Sequence, residues 1–230
     1  MRKIITLIAV LAFILSIQSY AQVQFGVKGG LNLAKITFRD LGGATQKIKP
    51  SFNIGAIVNY DIPYNVTLEA GLFVSGKGTK LEGTVSESGI SITAKENISP
   101  LYLEIPINAV YKIDLGTSKL RLFAGPYLAF GIAGNYKDEY SATGLPAGVT
   151  LESLGLTNST TDLKYGTDVD SDLKPTDFGF NIGAGIQMSN FMISAQYGLG
   201  LTNIDTSTSN DNEKKNKVIG ITAGFLFGGK

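Results

Sequence analysis

The chain's fold is decided by a segment that reads PLYLEIPINAVY at residues 100–111. One face of an extended strand here would carry Leu101, Leu103, Ile105, Ile107 and Tyr111. The opposite face would carry Tyr102, Glu104 and Asn108. Because successive side chains of a β-strand point to opposite faces, this spacing predicts a strand with one apolar and one polar face.

Seven further segments alternate in the same way. They are residues 23–34, 51–60, 66–75, 120–131, 178–187, 191–200 and 219–227. One face of nearly every segment carries large aliphatic or aromatic side chains, and the other carries Gly, Ser, Asn, Gln and a few charged residues. Period-two alternation over this length indicates strands rather than helices, so the sequence predicts an all-β fold with eight strands.

The connections between these segments alternate strictly between long and short. The long ones are residues 36–49, 77–97, 134–176 and 203–216, and the short ones are 61–65, 113–118 and 188–190. In an up-and-down barrel this order places all short turns at one end and all long loops at the other. The predicted fold is therefore an eight-stranded antiparallel up-and-down transmembrane β-barrel.

The predicted apolar face is too densely filled with large side chains for the narrow lumen of a small barrel. The glycine-rich polar face fits that lumen, so we expect the apolar face to point at lipid. The alternative is a soluble periplasmic lipocalin-like binding barrel, in which the two faces exchange places. For the membrane barrel, the aromatic residues expected to form interfacial girdles are Tyr60, Tyr64, Tyr111, Phe130 and Tyr136.

The first 21 residues have the features of a secretion signal. Arg2 and Lys3 precede an apolar run at residues 4–17, and Ser19 and Ala21 place small residues at the −3 and −1 positions. We expect cleavage between Ala21 and Gln22, and a single domain over residues 22–230 in the cell outer membrane. No later apolar run is long enough for a transmembrane helix, so the strands must do any spanning.

The amino-acid composition excludes several kinds of functional site. The chain has no histidine and no cysteine, which excludes disulfides, thiolate sites and His-dependent hydrolases or acyltransferases. A formal charge of +1 argues against nucleic acid as a partner, and no cofactor is expected. A Ser–Lys or paired-Asp mechanism remains open by residue type, although no spacing supports one. The expected role is non-enzymatic.

Four charged residues fall on the predicted inward face, namely Lys28, Glu69, Glu104 and Arg121. Buried charges must pair or be hydrated, so we expect a barrel-interior charge network. The alternative is a narrow, porin-like path for small solutes, with the same charges filtering ions. Paired carboxylates such as Glu69 and Glu104 also suit glycosidases, but nothing places them beside a substrate cleft.

The longest predicted loop, residues 134–176, is acidic. From Tyr136 to Asp177 there are three lysines against eight acidic residues, a net charge of −5. Asp168, Asp170 and Asp172 have the spacing that begins a calcium loop, but Leu173 and Gly179 replace the Gly and Glu of an EF-hand. This leaves a weak divalent-cation loop, or a solvated acidic surface that bridges lipopolysaccharide through divalent ions.

Lysines of the other long loops are expected to meet lipid phosphates directly; they are Lys77, Lys80, Lys214, Lys215 and Lys217. The expected partners are therefore outer-membrane lipid and lipopolysaccharide, and an envelope protein reached through the long loops. No metal ligand set other than the acidic loop is expected.

The segment Ser99-Pro100-Leu101-Tyr102-Leu103-Glu104-Ile105-Pro106 resembles the "YLEIP" strand of the PorT-like outer-membrane β-barrel family of Gram-negative bacteria. Residues 26–32, GVKGGLN, are similar to that family's first strand. The resemblance implies an eight-stranded barrel in the outer membrane, and one branch of the family is associated with protein secretion. The function expected is a scaffold that presents long extracellular loops for surface binding, envelope integrity or a larger envelope or secretion assembly.

Overall fold

The computed structural model describes residues 23–38, 43–168, 170–206 and 213–227. The expected signal peptide and its cleavage site before Gln22 lie outside the described residues. In the described part of the chain, no helix has the length and apolar character needed to cross a membrane.

The described residues form eleven strands and one 3-10 turn. The strands are β1 (Val23–Phe38), β2 (Thr45–Lys47), β3 (Lys49–Ile62), β4 (Val66–Gly76), β5 (Thr79–Glu87), β6 (Ile90–Asp114), β7 (Lys119–Thr143), β8 (Ser159–Asp162), β9 (Thr176–Met188), β10 (Phe191–Gly200) and β11 (Lys214–Phe227). The 3-10 turn is Glu152–Leu154.

Eight of these strands close into a barrel. Their order around the barrel is β1, β3, β4, β6, β7, β9, β10 and β11, and every neighbouring pair is antiparallel. β11 pairs with β1 over fourteen residue pairs, from Phe25↔Phe227 to Phe38↔Lys214, and so leaves no open edge in the wall. The predicted eight-stranded up-and-down barrel is confirmed.

The barrel carries its apolar side chains on the outside. Leu31 is 63% exposed and Ile182 is 57% exposed, whereas the alternating positions Lys28, Asn32 and Asn181 are buried. With a rise of ~3.3 Å per residue and a strand tilt of ~40°, the outward apolar positions of β9, residues 178–188, cover ~25 Å of the barrel axis. This lipid band has the height of a membrane core, and a soluble lipocalin-like barrel would need the opposite polarity.

The aromatic girdle differs from its prediction at one position. Tyr60 and Tyr111 face outward near the short-turn end, Phe130 does so at the long-loop end, and Tyr64 is 92% exposed in the β3–β4 turn. The prediction for Tyr136 is wrong, because this side chain is partly buried against an apolar cluster at the long-loop end.

Two of the predicted long loops contain strands. Residues 79–87 form β5, residues 90–98 extend β6, residues 134–143 extend β7, and residues 159–162 form β8. We call these four segments, together with β2, the outer sheet. The prediction of long loops over residues 77–97 and 134–176 is therefore wrong in these parts.

Both faces of the outer sheet contact water, so it lacks the apolar alternation that marks the barrel strands. Some of its cross-strand pairs are polar: the hydroxyls of Thr84 and Thr93 lie 2.9 Å apart, and those of Ser86 and Ser91 lie 2.7 Å apart. Ser88 and Gly89, with φ of 50° and 83°, form the two-residue hairpin turn that joins β5 to β6.

Candidate functional site

Three charged residues meet inside the barrel toward the short-turn end. Lys28 Nζ lies 2.5 Å from Glu69 Oε1, and Arg121 Nη2 lies 2.6 Å from Glu69 Oε2. Arg121 Nη1 also donates to Gln187 Oε1 at 2.9 Å. A Cβ on Gly224 would lie only 2.8 Å from Lys28 Cγ, so this glycine leaves room for the lysine stem. We call Lys28, Glu69 and Arg121 the inner cluster; it has two cations for one carboxylate.

A second group of charges lies toward the long-loop end. Lys77 Nζ lies 2.9 Å from Glu104 Oε2 and 3.0 Å from Asp177 Oδ2. The same ammonium lies 4.2 Å from the centre of the Tyr127 ring and 5.2 Å from that of Tyr102, within range of cation–π attraction. We call Lys77, Glu104 and Asp177 the outer cluster; it has two carboxylates for one cation.

The structure divides the four residues that the sequence predicted as one network. Lys28, Glu69 and Arg121 come together, whereas Glu104 pairs with Lys77 in the outer cluster. Glu69 and Glu104 each pair with a buried cation and lie in different clusters.

Sequence reasoning missed Lys77 and Asp177. The prediction that Lys77 meets lipid phosphates is wrong, since only 2% of its side chain is exposed. Strand parity contains the signal: Glu69, Phe73 and Ser75 point inward on β4, and the same alternation continues to residue 77. Asp177 likewise continues the inward positions of β9 past the predicted start of that strand.

The space between the two clusters is small. A polar cavity of about 40 Å³ is lined by two residues of each cluster and by three asparagines, namely Lys28, Glu69, Lys77, Glu104, Asn32, Asn53 and Asn108. Since a cavity needs a volume of about 10–15 Å³ to hold one water molecule, this cavity has room for a few of them. Side chains therefore fill the barrel interior at this level, as is usual for eight strands.

An apolar group of side chains covers the long-loop end of the barrel. This mouth cluster consists of buried Ile36, Ile98, Leu163, Leu173 and Ile204, with Phe38, Tyr136 and Tyr165 packed against it. Two hydrogen bonds hold the covering segment to β7: Leu163 N donates to Gly134 O at 2.9 Å, and Tyr165 Oη donates to Ala133 O at 2.9 Å. Burial raises the pKa of the Tyr136 and Tyr165 hydroxyls, which keeps both neutral.

The acidic loop is organised by hydrogen bonds of its own. Asp172 Oδ2 accepts a hydrogen bond from Lys164 N at 2.8 Å, and Asp168 O accepts one from Ser171 N at 3.0 Å. Within the described ranges, no three acidic, histidine or cysteine side chains are grouped as a metal site would need. A weak divalent-cation loop at Asp168, Asp170 and Asp172 stays a prediction.

Residues 18–206 match a family model described as "Outer membrane protein beta-barrel domain". The chain belongs to this outer-membrane β-barrel family. The matched span contains every barrel strand except β11. This outer-membrane barrel is thus an integral protein of the outer membrane, and its short turns face the periplasm while its long connections face the cell surface.

Several solved structures are similar to this outer-membrane barrel. Ail of Yersinia pestis, solved in complex with the heparin analogue sucrose octasulfate, is 16% identical with a TM-score of 0.39, over 90% of this chain and 99% of Ail. Neisserial surface protein A is 13% identical with a TM-score of 0.39, over 88% of this chain and 97% of that protein.

The N-terminal β-barrel domain of Pseudomonas aeruginosa OprF is 12% identical with a TM-score of 0.31, over 90% of this chain and 100% of that domain. A search of curated proteins gives no match.

Proposed function

We propose that this outer-membrane barrel is a closed, non-enzymatic scaffold whose outer sheet binds partners at the cell surface. The observation that carries the proposal is the continuous pairing of β6 with β7 beyond the barrel wall. This pairing runs from Pro100↔Gly134 to Ser91↔Thr143. Nine residue steps at ~3.3 Å each extend the sheet by ~30 Å, which makes it a rigid platform above the lipid band.

The filled interior supports a scaffold over a small-solute channel. Each cluster spans the lumen with paired charges, and the mouth cluster covers the outer end with apolar side chains. A conducting path would need a continuous line of water, and a 40 Å³ cavity under an apolar cover does not provide one.

The paired state of the interior charges supports a non-enzymatic role. Glu69, Glu104 and Asp177 are each held by a lysine or an arginine at 2.5–3.0 Å. A general acid or base must be within hydrogen-bond reach of a substrate, and these buried carboxylates face the barrel interior.

The proposal includes the remaining sequence-based expectations. Residues 1–21 act as the signal peptide, cleavage precedes Gln22, and residues 22–230 form the mature domain. The outer sheet and the acidic loop meet lipopolysaccharide or an envelope protein. The YLEIP segment supports placement in the PorT-like family, and the roles proposed for the scaffold are surface binding, envelope integrity or a part in a larger envelope or secretion assembly.

Planar-bilayer recording of the purified full chain tests the closed scaffold. We expect no discrete conductance steps, either for the native chain or for Glu104→Gln and Arg121→Gln variants. Steady steps whose size changes in these variants would replace the scaffold with the pore.

Photo-crosslinking in cells tests the binding role. A photoreactive residue replaces Val85, which is 72% exposed at the tip of the outer sheet, or Tyr64 in the periplasmic turn as a control. We expect a discrete crosslinked partner from position 85 that position 64 does not capture. The same product from both positions, or from neither, would contradict binding by the outer sheet.

A further inference from the structure

Two lysines face each other on the outside of the barrel at the outer edge of the lipid band. Lys35 of β1 and Lys217 of β11 are direct cross-strand partners. Such partners have Cβ atoms about 4.5–5.5 Å apart. Strand parity places both side chains on the face that carries Leu31 and Ile221, so they point away from the lumen.

Like charges in directly opposite positions destabilise a sheet unless an anion lies between them. Among the described residues, no salt bridge joins Lys35 or Lys217 to a carboxylate. Two lysines of the outer sheet do have carboxylate partners: Lys47 pairs with Glu82, and Lys137 pairs with Glu139. The Lys35–Lys217 pair therefore offers positive charge to an anion from outside the chain.

The surface below this pair is aliphatic. The next two outward pairs toward the membrane centre are Leu33↔Ile219 and Leu31↔Ile221. Leu31 is 63% exposed and Ile221 is 52% exposed. Two positive charges thus lie directly above a column of exposed aliphatic side chains, over the same two strands.

Positive charge at the membrane surface, with aliphatic side chains next to it toward the membrane centre, matches an amphiphile rather than a soluble anion. A phosphate at the membrane surface accepts charge-assisted hydrogen bonds from the two ammonium groups, while acyl chains below contact Leu31 and Ile221. Lysine stems also extend readily along apolar surface toward the headgroup layer. Lys215, one outward position further from the membrane, pairs with Glu213 at 2.6 Å and leaves the phosphate to the other two lysines.

We propose that Lys35 and Lys217 form a binding site for the phosphate of a phosphorylated glycolipid in the outer leaflet. The site holds one lipid against the β1–β11 pairing, with its acyl chains on the column below. This inference rests on the membrane placement of the barrel and does not depend on the binding role of the outer sheet.

Lipid titration of the purified full chain in uncharged detergent tests this site. The probes are diphosphoryl lipid A, the same lipid with both phosphates removed, and inorganic phosphate. The readout is the temperature at which the folded, fast-migrating band is lost in electrophoresis. A Lys35→Gln/Lys217→Gln variant is compared with Lys47→Gln/Lys137→Gln, which removes the same charge from paired lysines of the outer sheet.

Diphosphoryl lipid A is expected to raise the unfolding temperature of the native chain at concentrations where the other two probes do not. Binding should be about tenfold weaker in Lys35→Gln/Lys217→Gln and unchanged in the control, because only the former loses the charge-assisted hydrogen bonds. Equal weakening in both variants would reduce the effect to overall charge and overturn the site.

An equal response to inorganic phosphate, or to lipid A without phosphates, would also overturn the site. All of these outcomes leave the crosslinking result at position 85 unaffected, so the two proposals fail separately.

Discussion

Lys77 Nζ lies 2.9 Å from Glu104 Oε2, and this ion pair joins the beginning of the outer sheet to the barrel wall. Lys77 directly follows β4 and precedes β5, whereas Glu104 lies in the part of β6 that spans the membrane. Asp177 at the start of β9 holds the same ammonium from the other side. The outer cluster thus connects three strands where the barrel passes into the outer sheet.

Replacing Lys77 by Met should strongly destabilise the barrel. The variant leaves Glu104 and Asp177 buried without their cation, and breaking a buried pair in this way costs about 3–5 kcal/mol. Lys47→Met removes an exposed partner of Glu82 and should cost about 0–1 kcal/mol. Urea titration followed by the folded band in electrophoresis measures both. Equal midpoints for the two variants would show that the outer cluster contributes no stability.

The inner cluster should behave as one coupled unit. Glu69→Gln leaves Lys28 and Arg121 buried without a carboxylate, so we expect a loss of about 3–5 kcal/mol. Lys28→Met should then cost less in the Glu69→Gln background than in the native chain, because it removes one of the two unbalanced cations. The four urea midpoints of this double-mutant cycle measure the coupling. Additive effects would contradict the ion-pair geometry.

Gly78 is required by the close approach of two chain segments. Its φ is +126°, and a Cβ at this position would overlap the carbonyl oxygen of Ile98. Gly78→Ala should therefore destabilise by at least about 2 kcal/mol. Gly83→Ala provides the control, because among the described residues its Cβ would meet only Ala44 at 4.0 Å, and alanine suits a strand better than glycine. Comparable unfolding midpoints would show that the outer sheet tolerates a shift at residue 78.

The outer sheet should be more stable at acidic pH because of Glu96. This residue is the direct cross-strand partner of Asp138, and burial together with the Asp138 carboxylate raises the Glu96 pKa despite the nearby Lys214. A carboxyl with a raised pKa in the fold favours the protonated state. Its stabilising contribution is complete below the ordinary carboxyl pKa and is lost as the pH rises through the raised value.

Hydrogen exchange of the amides in residues 90–98, followed from acidic to neutral pH, measures this dependence. Glu96→Gln should slow exchange at neutral pH and flatten the pH profile, whereas Glu152→Gln in the exposed 3-10 turn should leave both unchanged. If amide exchange in the Glu96→Gln variant keeps the pH dependence of the native chain, another group is responsible for it.

The barrel wall was predictable because lipid contact imposes a strict alternation on every strand. Residues 100–111 show the reason: the outward positions Ile105, Ile107 and Tyr111 are apolar, whereas Glu104 and Asn108 point inward. The pattern alone therefore predicts the strand and the face of each residue. The outer sheet lacks this constraint, since water contacts both faces around Thr84 and Ser91 and no repeating apolar signal results. The strand content of β5, and of the outer parts of β6 and β7, was missed for this reason.

The sequence by itself determined that eight strands cross the membrane, which face of each meets lipid, and that Lys28, Glu69, Glu104 and Arg121 point inward. Only the tertiary structure decided which of these charges pair. Barrel closure brings β1, β4 and β7 to one level and β6, β9 and the residue after β4 to another, and ion pairs form between side chains as many as 100 residues apart along the chain. Alternation along a strand indicates which face a residue occupies. The height of that residue relative to an ion-pair partner depends on the register of every strand between the two residues.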